Sequence, residues 1–95
     1  MTLRYTDRAA AELEAAITWY ERRQEGLGLE FLDRVESSVH SITRNSEMYP
    51  IVYGNFRRCV IRQFPFSIFY TVEDESVTVH SLFNDRRHPR DLPEK

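Results

Sequence analysis

Residues 64–83 read FPFSIFYTVEDESVTVHSLF, and this stretch decides the fold. Aromatic and β-branched residues recur here with a period of two, so Phe66–Val72 and Val77–Phe83 read as strands. Between them Glu73-Asp74-Glu75-Ser76 reads as an acidic hairpin turn. A further strand, Phe56–Phe64, precedes Pro65, a residue suited to a strand start or an edge. Three consecutive strands with short links make an antiparallel meander.

Upstream of Pro50 the period changes from 2 to 3.6. Ala9, Leu13, Ala16, Ile17 and Tyr20 share one helix face behind Thr6 or Asp7, either able to cap the N-terminus. Glu12, Glu14, Glu21 and Arg22 fall largely on the other side. Gly26-Leu27-Gly28 breaks the run, because glycine tolerates the left-handed backbone that ends a helix. Phe31, Leu32, Val35, Val39 and Ile42 mark a second helix that ends near Asn45-Ser46. The two form an antiparallel helical hairpin. Residues 3–6 read as a brief first strand at an edge of the sheet. The expected architecture is α+β: one domain over residues 1–95, ordered β-α-α-β-β-β, with the hairpin packed on a small antiparallel sheet. Residues 84–95 form a polar, arginine-rich tail.

Strict alternation assigns two faces to the sheet. One holds Phe56, Arg58, Val60, Arg62 and Phe64, then Phe66, Ile68, Tyr70 and Val72, then Val77, Val79, Ser81 and Phe83. It is mostly apolar and should meet the helices. The other holds Arg57, Cys59, Ile61, Gln63, Ser67, Phe69, Thr71, Thr78, His80 and Leu82. A bulge would exchange part of this assignment. Two helices cannot cover both faces, so the tail or another chain must cover the second.

Composition narrows the function classes. A chain of 95 residues holds one core, and 41% hydrophobic residues is the fraction of a folded protein. The lone Cys59 allows neither an internal disulfide nor a cysteine metal cluster, and no cofactor motif occurs. No apolar run reaches signal-peptide or membrane-span length, so a cytoplasmic protein is expected. The net charge of −2 argues against a protein that coats nucleic acid. Residues 1–50 carry six arginines against nine acids, whereas residues 51–95 carry seven cations against six acids. Twelve arginines against one lysine favour planar, bidentate contacts to phosphate or carboxylate.

The candidate residues follow from that arginine bias. Arg58 and Arg62 lie on one strand face, about 13 Å apart at the strand rise, with Arg57 opposite. Arginines on a core face need an acid nearby, which the acidic helices could supply. Arg86-Arg87-His88-Pro89-Arg90-Asp91 places a cation-rich segment directly after the last strand. His80, mid-strand, reads as a half-buried histidine with a hydrogen-bond partner, and as an acid/base group only where arginines line a phosphate site beside it. Cys59 reads as core.

These residues also carry a resemblance. Glu12-Leu13 with Trp19-Tyr20-Glu21, Gly26-Leu27-Gly28 with Phe31-Leu32, Tyr49-Pro50, Phe64-Pro65-Phe66 with Ile68 and Tyr70, and the arginine-rich close are similar to the RelE/ParE superfamily of toxins. The match runs in order over nearly the whole chain. It implies the same β-α-α-β-β-β fold and the toxin half of a bacterial type II toxin–antitoxin operon, bound by its antitoxin as a homodimer or heterotetramer. The wording looks most like the ParE, or plasmid-stabilisation, side. That side implies inhibition of DNA gyrase by protein contact, with Arg57, Arg58, Arg62, Arg86, Arg87 and Arg90 meeting target or antitoxin. The RelE side would instead imply cleavage of mRNA on the ribosome, with Arg58, Arg62 and Arg86 on the phosphate and His80 or His88 as acid/base. An inactive relic that only binds antitoxin is the remaining alternative.

Overall fold

The computed structural model describes residues 1–93; Glu94 and Lys95, the end of the arginine-rich tail, lie outside the described residues. The chain runs β1 (Thr2–Tyr5), α1 (Asp7–Arg23), α2 (Leu27–Arg44), β2 (Ile51–Tyr53), β3 (Phe56–Val60), β4 (Phe66–Glu73) and β5 (Ser76–Asn84), then a short 3-10 turn at Pro89–Asp91. The helical hairpin, the meander and the edge position of the first strand all appear as read from the sequence. Strand order is β1-β5-β4-β3-β2.

Three details differ from the sequence reading. β1 pairs in parallel with β5, so the sheet is mixed rather than purely antiparallel. A short strand, β2, joins β3 through a turn at Gly54, whose φ of 58° suits glycine. At three residues it is too short to show a period. β3 stops at Val60, and residues 61–65 turn, with Gln63 in a left-handed conformation.

Local chemistry explains the hairpin. The Thr6 side chain accepts the Ala9 N–H at 3.1 Å and caps α1. Between the helices, Glu21 receives the N–H groups of Gly26 and Gly28 at 3.0 and 2.9 Å, placing an acid at the start of α2. Gly28 sits where a Cβ would approach the Ile17 carbonyl to 2.7 Å, so the helices cross through it. Phe31, Val35 and Ile42 of α2 are fully buried, with Tyr20 and Ala16 of α1 beside them. Tyr20, Phe31, Phe64 and Phe66 stack with centroid separations of 4.9–6.2 Å.

The faces correct the alternation on two strands. On β3 it is Cys59 that joins the helix-side core, with Ile61 just past the strand, while Phe56 clusters with Phe69 and Phe83 on the far face. On β5 the pairing shifts from Phe69↔Ser81 to Tyr70↔Val79, leaving His80 as the extra residue of a bulge. Beyond it Leu82 turns toward the helices and Phe83 away. Alternation cannot see a bulge, and the β3 error came from extending that strand through the turn to Phe64.

Candidate functional site

The far face of the sheet is a three-phenylalanine patch. Phe56, Phe69 and Phe83 pack together, with Tyr53 on one side and Leu92 of the tail folded against them. The tail therefore does fold back over this face, in part. A cleft of about 390 Å³ remains beside the patch, with Arg58, Asp85 and Arg87 among its walls.

The arginines divide by what holds them. Arg57 points to the helix side, where its guanidinium donates to the carbonyls of Glu47 and Tyr49 at 3.0 and 2.7 Å. It thus pins the α2–β2 loop, which Tyr70 also holds by donating to the Ser46 carbonyl at 2.7 Å. Burial pushes the Tyr70 phenol up to about 12. Arg58 donates to Ser67 Oγ at 2.9 Å, and Ser67 donates to Asp85 at 2.8 Å. Arg58 also meets Asp85 at 3.3 Å. The acid that pairs it comes from the end of β5, not from the helices. Arg62 lies exposed in the turn after β3, so the expected strand spacing from Arg58 does not apply.

The tail is ordered by capping rather than by a strand. His88 Nδ1 accepts the Arg90 N–H at 3.0 Å and starts the 3-10 turn. Arg87 reaches Glu12 at 3.8 Å and Asp91 at 3.6 Å, with its guanidinium 5.6 Å from the Phe83 ring. Arg8 bridges the same segments, donating to Glu12 and to the Asp91 carbonyl. The Arg86 and Arg90 side chains are exposed. His80 Nε2 shares a hydrogen bond with Thr71 at 2.8 Å, and its ring lies 4.9 Å from that of Phe56. Burial lowers its pKa.

Sequence reasoning missed Glu12. Read as part of the solvent side of α1, it is instead the carboxylate that joins three elements. Its Oε1 accepts from Ser81 Oγ at 2.8 Å and from the Leu82 N–H at 3.2 Å, beside the bulge. Its Oε2 faces Arg8 at 3.2 Å. The sequence signal for it is slight: an i,i+4 Arg8–Glu12 pair, which is usually a surface feature. Among the described residues no group of His, Cys, Asp and Glu could hold a metal ion, and no helix is long and apolar enough to cross a membrane.

No curated protein matches the chain by sequence. Among solved structures, one described as the chromosomal ParDE TA system from P. aeruginosa superposes with a TM-score of 0.75. It is 20% identical and covers 88% of this chain and 95% of that one, which establishes a shared fold. A family model described as ParE toxin of type II toxin-antitoxin system, parDE, matches residues 3–89, from the first strand into the 3-10 turn. By that match the chain belongs to the ParE toxin family of type II toxin–antitoxin systems.

Proposed function

We propose that this chain inhibits growth by binding DNA gyrase through protein–protein contact, and that a cognate antitoxin neutralises it. One observation carries the choice of contact over cleavage: Arg58 and Arg87 line one cleft, but no histidine joins them there. Cutting RNA needs a base at the attacking 2′-hydroxyl and cations on the same phosphate. Here His80 is engaged by Thr71 and Phe56. His88 caps a turn, Arg57 holds a loop, and Arg58 is paired with Asp85. Arg87 instead lies over Phe83 at the edge of the phenylalanine patch, while Arg86 and Arg90 are exposed on the segment that follows β5. A cleft bordered by arginines beside a lightly covered aromatic cluster suits a protein partner.

The test is gyrase supercoiling in the presence of the purified chain. Loss of supercoiling at stoichiometric excess is expected. Undiminished supercoiling overturns the proposal, and codon-phased mRNA ends after induction would replace it with ribosomal cleavage.

A further inference from the structure

The sheet ends in two edges that are protected unequally. At one, β2 has three residues, follows Pro50, and shifts register between Ile51 and Tyr53. A proline and an irregularity of this kind discourage further strand pairing. At the other, β1 pairs in regular register with β5 over all four of its residues and carries neither device. The Thr2 and Thr6 N–H groups donate to the Glu75 and Val79 carbonyls. By alternation the N–H and C=O groups of Leu3 and Tyr5 point away from β5, with no strand beyond them. We propose that a second copy of this chain covers this edge, with β1 pairing antiparallel to the partner's β1 across a two-fold axis at Leu3.

The register follows from the strand itself. A two-fold strand pair can centre on a residue whose backbone groups face outward, which then exchanges both hydrogen bonds with its own copy. Leu3 meets that condition. An axis at Arg4 would set two like charges directly opposite each other. An axis at Tyr5 would bring Leu3 against the partner's Asp7, where α1 has already begun.

The second helix supports the same axis. A cavity of about 390 Å³ opens at this edge, lined by Leu3, Tyr5, Glu36, Val39, His40 and Thr43. Burial and the Glu36 carboxylate raise the Tyr5 phenol, which places Tyr5 at the Glu36 end of the cavity. Leu3 therefore lies toward His40, because two strand residues and one helical turn cover nearly the same distance. An axis through Leu3 passes beside His40 and sets the two copies of α2 antiparallel. Glu36 and Arg44 stand four residues to either side of His40, so each Glu36 faces the partner's Arg44. Among the described residues neither forms an ion pair within its own chain. On the other face of the strand, Arg4 comes across from the partner's Thr2, which adjoins the acidic turn through Glu75. Each cation at the edge thus gains an acid from the other copy.

An axis at right angles to the sheet joins the two sheets into one continuous layer. Both phenylalanine patches then face the same way, about 24 Å apart at five strand spacings. Each keeps its arginine arm, residues 85–91, beside it.

Sedimentation velocity from about 1 to about 200 µM, at pH 8 where an ordinary histidine is neutral, should show a concentration-dependent dimer. Leu3→Pro removes an outward N–H and spares the ladder to β5, so it should leave monomer alone without lowering Tm. Glu36→Arg, at an exposed position, should weaken the dimer about tenfold or more. Adding Arg44→Glu to that variant should restore it, a rescue that a structural role for either residue would not produce. A chain that stays monomeric throughout overturns the proposal. So does a dimer that survives Leu3→Pro, or one that the exchanged pair fails to restore. Amide exchange at Leu3 and Tyr5 that slows only on adding the product of the adjacent open reading frame would also overturn it, assigning the edge to that partner.

Discussion

On its helix side the sheet meets Phe31, Val35 and Ile42, none of which is exposed to solvent, and four aromatic rings interlock across the boundary. On its far side Phe56, Phe69 and Phe83 are nearly as buried, but their cover is Tyr53 and one tail residue, Leu92. The first face is sealed by helices fixed through caps and a glycine crossing. The second is closed by a short segment held through arginine–carboxylate contacts. Burial alone does not tell a core from a contact surface; what covers it does.

The largest effect should come from the sealed face. Phe31→Ala removes a ring packed on Tyr20, Phe64 and Phe66, and should cost about 3–5 kcal/mol in urea unfolding. Phe69→Ala should cost about 2–3 kcal/mol, because the lightly tied tail can settle into the space. Equal losses would break the comparison, making the far face a second core.

Glu12 joins the two regions and should sharpen the contrast between them. Glu12→Ala leaves Ser81 Oγ and the Leu82 N–H without their acceptor, at a cost of about 2–3 kcal/mol. Glu12→Gln keeps an oxygen for those donors but turns an amide toward Arg8 and Arg87. Its stability should fall by about 1 kcal/mol or less, while trypsin should cleave faster after Arg87. Unchanged cleavage would show that the arm is held by Leu92 packing instead.

How much of this was legible follows the same division. The helical hairpin and the β4–β5 hairpin were readable because their periods run through long segments closed by Gly26 and the acidic turn. Gly28 was readable as a helix boundary only; the close approach to Ile17 that makes it necessary is a tertiary fact. The faces failed where one residue shifts the phase, at the His80 bulge and at the early end of β3. The arginines were visible as a cluster, but their partners were not. Asp85 lies 27 positions from Arg58, and Glu12 lies 75 positions from Arg87. Such pairings are set by the bulge and the sheet order, which no local pattern encodes.

A smaller, pH-dependent effect separates the faces again. His80 is on the far face, and burial lowers its pKa below the ordinary 6.5. The unfolded chain then binds this proton more readily, so stability is full above 6.5 and falls as pH drops from there through the lowered folded value. Tm measured between pH 7.5 and 5 should decline, and His80→Asn should flatten that part of the decline attributable to this site. An unaltered slope in the variant would assign the decline to other groups.

The smallest expected effect on stability belongs to the arm itself, where the largest loss of function is expected. Arg86 carries no ion pair among the described residues, and Arg87 is about half-exposed with contacts at 3.6 and 3.8 Å. Surface pairs of this kind contribute about 0–1 kcal/mol. Arg86→Ala combined with Arg87→Ala should therefore lower unfolding stability by about 1 kcal/mol or less, while inhibition of supercoiling falls much further. The two readouts must diverge, because a charge that holds the fold and a charge that meets a partner are removed by the same substitution. If stability and inhibition fall together, the arm belongs to the fold, and the contrast between the two faces reduces to a difference in thickness of cover.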